Sequence, residues 1–142
     1  MTIDQLSVFV ENRSGTLFEI TEALSGAGIG IIAFTVADTS EFGVLRLIVD
    51  SPKKALAVLK LEGFIASITP VIGIKMDDSP GSLSTILSAL SKASLSIEYI
   101  YAFVAKKENS AFSIIRVEDN EKAIAILADA GFKTVAQKEL EI

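Results

Sequence analysis

The 142-residue chain contains no cysteine and no histidine. Without cysteine there is neither a disulfide nor a thiol nucleophile. Without histidine the usual neutral-pH base and the commonest transition-metal ligand are missing. Ser-His-Asp chemistry and most zinc sites go with it. Carboxylates and lysines remain, and Asp77, Asp78, Glu98 and Lys75 are the candidate acids and bases. No nucleophile–base pair, metal-ligand cluster or cofactor signature accompanies them, so neither an enzyme nor a cofactor is expected. Positive charge is also in short supply: 13 Lys and Arg face 18 Asp and Glu, a net charge of −5. Nucleic-acid affinity rests largely on neutralising phosphates, so no nucleic-acid partner is expected. No apolar run approaches the roughly 18 residues that span a membrane. The start, Met1-Thr2-Ile3-Asp4-Gln5, lacks the basic residues and apolar stretch of a signal peptide. The expectation is a soluble, cytoplasmic protein.

What is present is apolar and patterned. Half of the residues are hydrophobic, enough for a core. Leu6, Val8 and Val10 alternate along a first strand. Glu11-Asn12-Arg13-Ser14-Gly15-Thr16-Leu17 turns the chain into a helix from about Gly15 to Ala27, with Ser14 as its expected N-cap. Gly26, Gly28 and Gly30 crowd the helix end, where turn residues with positive φ are needed. They follow a helix, so they do not form a phosphate loop. Strands are expected at 29–37 and 44–49, joined by a hairpin at Asp38–Gly43. Ser51 and Pro52 open a second helix that Gly63 ends, and Phe64–Thr69 is a fourth strand. The order is βαββαβ.

The same order then repeats. A strand at Pro70–Met76 leads to the turn Asp77-Asp78-Ser79-Pro80-Gly81-Ser82-Leu83. A helix from Pro80 to Ala93 is expected, capped by Ser79. Then come strands at 95–104 and 111–117 around a hairpin at Lys106–Asn109. A helix at 121–130, capped by Asp119 or Asn120 and ended by Gly131, and a strand at 133–137 complete the series. Gly81 lies 66 positions after Gly15, and at that offset Leu17, Ile20, Leu24 and Ala27 meet identical residues at Leu83, Ile86, Leu90 and Ala93. Beyond the hairpin the offset is 68, where Gly63-Phe64 meets Gly131-Phe132. The chain is therefore an internal duplication. The fold class expected is α+β, two ferredoxin-like βαββαβ repeats with antiparallel sheets and helices on one face. The two domains expected are 1–69 and 70–142. Each is marginal alone, because roughly 65 residues bury only about 60% of their extended surface.

These residues resemble a known family. A strand, then Asn12-Arg13-Ser14-Gly15-Thr16-Leu17, a helix, and the pattern Gly-x-x-Ile at the next strand look like the ACT domain. Leu6 to Leu17 especially resembles the opening of the small regulatory subunit of acetohydroxyacid synthase. That pattern usually has Pro where this chain has Ser14, and Pro80 restores it in the second copy. The resemblance covers nearly the whole chain as two ACT repeats. It implies a regulatory protein that binds a free amino acid at the interface between ACT domains. The turn of one domain would face the strand-two region of its neighbour. With no length left for an attached enzyme, a free-standing sensor or regulatory subunit is expected. It would pair as a homo-oligomer, a dimer through sheet edges or faces, with a separate metabolic enzyme as a further partner.

The chemistry of the turns suits such a ligand. Helix-start N–H groups favour a carboxylate, and Gly15 and Gly81 leave the backbone uncovered. Asn12, Asp77 and Asp78 offer oxygens to an ammonium group. The candidate ligand-binding residues are Asn12, Arg13, Ser14, Gly15, Thr16 and Leu17, with Ile31 from strand two. In the second repeat they are Asp77, Asp78, Ser79, Pro80, Gly81, Ser82 and Leu83, with Ser96 and Ile97. Each has a plainer role open to it. Asn12 can bond its own turn, Asp78 can steady a helix start, and Arg13 can be solvated. Leu17 and Leu83 are expected in the core more than in a pocket. Tyr99, Tyr101 and Phe103 share one strand face and fill an interface or line a pocket. Two alternatives stand beside the amino-acid sensor: an interaction subunit without a ligand site, and a small enzyme.

Overall fold

The computed structural model describes residues 1–38, 41–104 and 110–140. The tips of the two expected hairpins, with Lys106 and Lys107, fall outside the described residues. The chain runs β1 (Ile3–Glu11), α1 (Thr16–Gly26), β2 (Ile31–Asp38), β3 (Phe42–Val49), α2 (Pro52–Leu61), β4 (Ile65–Asp77), α3 (Ser82–Lys92), β5 (Ile97–Val104), β6 (Ser110–Val117), α4 (Asn120–Asp129) and β7 (Thr134–Val135), with a closing 3-10 turn, Gln137–Leu140. It divides into two compact units, Asp4–Thr69 and Met1–Ile3 with Pro70–Ile142. Both are α+β, with antiparallel ladders, as the doubled βαββαβ pattern predicts.

In the Asp4–Thr69 unit β3 is central, antiparallel to β1 (Leu6 opposite Leu47, Glu11 opposite Phe42) and to β2 (Ile31 opposite Val49, Asp38 opposite Gly43). Alternation along β1 and β3 sends Leu6, Val8, Val10, Leu45, Leu47 and Val49 inward against Ile20 and Leu24 of α1 and Ala55 and Leu59 of α2. In the other unit β6 takes the central place between β4 and β5. Its core is Ile72, Ile74, Ile86, Leu90, Ile115, Val117, Ala123 and Leu127. These are the positions that the 66- and 68-residue offsets assign to Leu6, Val8, Ile20, Leu24, Leu47, Val49, Ala55 and Leu59. One pair is rebalanced. Val10 and Leu45 become Met76 and a fully buried Ser113, whose hydroxyl lies 3.4 Å from the Met76 sulfur. The longer thioether occupies volume that the smaller side chain gives up.

Several local expectations are corrected. Neither Ser14 nor Ser79 caps a helix, and Pro80 is not helical: Gly15 and Gly81 occupy the N-cap positions. The two strands expected on either side of Thr69 and Pro70 are one strand, β4. Proline's fixed φ suits extended backbone, and its carbonyl accepts from Arg116 Nη1 and Asn120 Nδ2, both at 3.1 Å. The last strand keeps two residues. Ala136 N–H then donates to the Glu139 carboxylate, and Leu140 is drawn into full burial. Of the glycines closing α1, only Gly28 has positive φ; Gly26 is helical, and Gly30 donates its N–H to Asp50 Oδ2 at 3.0 Å. Leu17 and Leu83 are not core residues, being 45% and 38% exposed. The inward row of α1 is Thr16, Ile20 and Leu24, and Leu17 sits about 100° round the helix from Thr16.

Candidate functional site

The turn after β1 is built by its glycine. Thr16 N–H reaches back to the Arg13 carbonyl, and Gly15 holds φ 87°, ψ −6°. That is a type II turn with Gly15 at its third position, the one that requires positive φ. The copy after β4 is the same: Ser82 N–H reaches the Ser79 carbonyl, and Gly81 holds φ 92°, ψ −14°. Pro80 therefore occupies the second position of the turn, where proline's φ is favourable. Nothing lies within 4 Å of where a Cβ would stand on either glycine, so both turn backbones are open to solvent.

Around these turns the side chains differ. In the first, Arg13 grips Glu19 with two hydrogen bonds, Nη1 to Oε1 at 3.1 Å and Nη2 to Oε2 at 3.0 Å. Glu11 stands 3.9 Å from the guanidinium. Hydrogen bonding from Arg13 holds the Glu19 carboxyl below its ordinary value, and the same bond raises the Arg13 pKa. Thr16 is buried, with its hydroxyl on the Arg13 carbonyl, and Asn12 N–H is held by the Glu41 carbonyl. Ser14 and Gly15 are exposed. In the second turn Ser79 and Ser82 share a hydroxyl–hydroxyl hydrogen bond of 3.0 Å, and Asp77, Asp78, Pro80 and Gly81 are exposed.

Each turn borders a cleft within its own unit. Arg13 and Thr16 join Phe9, Glu11, Glu19, Glu62, Gly63, Phe64 and Ile65 around about 210 Å³. Asp77 and Ser82 join Lys75, Met76, Thr85, Phe132, Lys133 and Glu139 around about 610 Å³. Phe64, Ile65, Thr85, Phe132, Lys133 and Glu139 were not among the residues expected at a site. The repeat offset was the available signal, since Gly63-Phe64 and Gly131-Phe132 close the second helix of each unit beside its turn.

Ile31, Ser96 and Ile97 are not brought to the turn of their own unit. β2 runs parallel to β1, because both are antiparallel to β3. Ile31 thus lies opposite Val49, seven rungs from Phe42, which faces Glu11. At about 3.3 Å per residue the separation exceeds 20 Å. Ile97, opposite Val117, is equally removed from Asp77, opposite Ser110. Ser96 is exposed, just before β5. Among the described residues no group of three His, Cys, Asp or Glu side chains could hold a metal ion. No described helix is long and apolar enough to cross a membrane.

Two open glycine turns on duplicated βαββαβ units point to one family. The family model described as the ACT domain pair matches residues 1–142. The chain is an ACT domain pair. Among solved structures it is similar to protein BT0572 from Bacteroides thetaiotaomicron, at 38% identity and a TM-score of 0.92, covering 99% of this chain and 96% of that one. The regulatory subunit of aspartate kinase from Thermus thermophilus, in its ligand-free form, shares the fold at 20% identity and a TM-score of 0.65, over 91% of this chain and 93% of that one. The corresponding Thermus flavus subunit does so at 17% identity and 0.59, over 91% and 94%. No curated protein matches. The ACT pair keeps its two turns in equivalent places with unlike side chains.

Proposed function

We propose that this ACT domain pair, with domains at 1–69 and 70–142, is a cytoplasmic, non-catalytic regulator that binds a free amino acid and acts on a separate metabolic enzyme. The observation that carries the reading is the pair of uncovered type II glycine turns at the ends of β1 and β4. Each offers helix-start N–H groups to a carboxylate, with Asn12 or Asp77 and Asp78 beside them for an ammonium group. Strand two of the same unit lies too far away to complete such a site. The reading therefore places another ACT unit against the turn, its Ile31 or Ile97 segment forming the other wall. The shared fold with regulatory subunits of aspartate kinase supports a regulatory role.

A thermal-shift screen against the twenty amino acids tests this. One of them should raise the melting temperature, because a ligand at about 100 times its Kd adds roughly 2.7 kcal/mol to folded-state stability. Asn12→Ala or Asp78→Ala should abolish the rise. No rise with any amino acid at millimolar concentration sinks the reading. It would favour an interaction subunit without a ligand, for which exposed Phe18, Phe34 and Ile65, at 67%, 67% and 72%, supply contact surface.

A further inference from the structure

The outer face of the Asp4–Thr69 sheet ends in an apolar patch. Alternation sends Leu6, Val8 and Val10 of β1 to the core, so Phe9 and Glu11 point outward. Phe42 faces Glu11 across the β1–β3 pairing, and its ring centroid lies 5.1 Å from that of Phe9. Ile65 opens β4 on the same side, because Phe64 and Ala66 on either side of it pack against the core. Phe9 and Phe42 are 42% and 45% exposed, and Ile65 more so.

Carboxylates edge this patch. Glu11, Glu19, Glu62 and Arg13 line the cleft that Phe9, Phe64 and Ile65 floor. Arg13 is already engaged, by two hydrogen bonds to Glu19 and by Glu11 at 3.9 Å. Three carboxylates and one guanidinium leave the lining net negative. Arg46, opposite Ser7 and two rungs from Phe9, and Lys60 on α2 do not line it. The duplication supplies a comparison within the chain. At the equivalent positions the second unit has Lys75 for Phe9, Ser110 for Phe42, Lys133 for Ile65, Thr85 for Glu19 and Ala130 for Glu62. The fold therefore requires neither the apolar patch nor its acidic edge, and both belong to the first unit.

We propose that this cleft is a docking site for a basic, apolar segment of a partner protein. At about 210 Å³ it is smaller than the roughly 300–1,000 Å³ of small-molecule pockets and suits one inserted side chain. Phe9, Phe42 and Ile65 take the apolar contact. Lysines or arginines beside that side chain meet Glu11 and Glu62 and lie over the ring faces. Charge complementarity selects the partner. A second copy of this chain, laid on the same face by a two-fold axis, would set Glu11 and Glu62 against their own counterparts. The site lies inside one unit and does not rest on the amino-acid reading.

Fluorescence anisotropy of the full chain with three labelled hexapeptides tests it: lysine alternating with leucine, glutamate alternating with leucine, and lysine alternating with glycine. Only the first should bind saturably, and its affinity should fall as salt is raised. Phe9→Lys and Ile65→Lys, which install the residues of the second unit, should each weaken binding about tenfold or more. Phe34→Lys, on an exposed residue of β2 outside the cleft, should leave it unchanged. Normal melting curves for the variants separate lost binding from lost folding. Undiminished binding in both cleft variants, an equal loss in Phe34→Lys, equal binding of the glutamate or glycine peptide, or no saturable binding at about 1 mM overturns the proposal. So does a dimer in sedimentation that Phe9→Lys dissociates, which gives the face to a second copy.

Discussion

Ser94 stands where the repeat places the counterpart of Gly28. Both close the first helix of their unit in the left-handed region, Gly28 at φ 73° and Ser94 at φ 58°. Both allow the same closing bond, from Ile29 N–H to the Leu24 carbonyl and from Leu95 N–H to the Leu90 carbonyl. A side chain there is strained, by about 1 kcal/mol relative to glycine. Ser94→Gly should therefore raise stability by about 0.5–1 kcal/mol in urea unfolding, and Gly28→Ser should lower it by a similar amount. At Arg13 and Glu19 the prediction concerns pH. The folded-state pKa of Glu19 lies below its ordinary value of 4.5. The contribution is therefore complete above that value and is lost as pH falls through the folded-state pKa. Glu19→Gln should flatten this part of the acid limb of the stability profile, and NMR titration of the Glu19 carboxyl should show the depressed pKa directly. A Glu19 titration at the ordinary value would contradict the ion pair.

The helices were legible from their inward rows, since Ile20, Leu24, Ala55, Leu59 and their repeat partners recur at helical spacing. Their starts were less so. Ser14, Ser51, Ser79 and Asp119 all read as caps, yet only Asp119 makes the bond, its Oδ1 accepting from Lys122 N–H at 3.1 Å. Ser51 holds the N-cap position without a side-chain bond. Asp119→Ala should cost about 1 kcal/mol, whereas Ser51→Ala should cost a few tenths at most. Paired chemical-denaturation curves decide this, and equal losses would refute the distinction. At residues 13–16 and 79–82 two turn chemistries competed for the same letters. A serine or proline before a glycine fits both a helix cap and a type II turn. The glycine's positive φ decides for the turn, and only backbone geometry reveals it.

Ile3 opens β1 but packs with the unit formed by Pro70–Ile142. A methyl on Gly73 would overlap Ile3 Cδ1 and come within 2.9 Å of Val135 Cγ2. Gly73 is therefore required by the fully buried Ile3 beside it. Ile3→Ala should cost about 2–4 kcal/mol. Hydrogen exchange should then rise first in β4, β6 and β7. Gly73→Ala should cost about 1–3 kcal/mol alone and less in the Ile3→Ala background. Costs that simply add in the double variant would show that the two sites do not share this contact.

The sequence by itself determined the duplication, the α+β class, both cores and the places of the two turns. All of these follow from periodicity and from offsets between like residues. Tertiary structure decided what needs coordinates of distant residues. It separated Ile31 and Ile97 from the turns of their own units, because strand direction and register place them over 20 Å away. It turned Leu17 and Leu83 outward by one helical step. It brought Lys75 and Lys133 into the lining of one cleft and locked Arg13 onto Glu19 beside the other, making two equivalent clefts chemically unlike. Residues 58 positions apart, such as Lys75 and Lys133, carry no local pattern that predicts their meeting. Only the pairing of β4 with β7 brings them to one cleft.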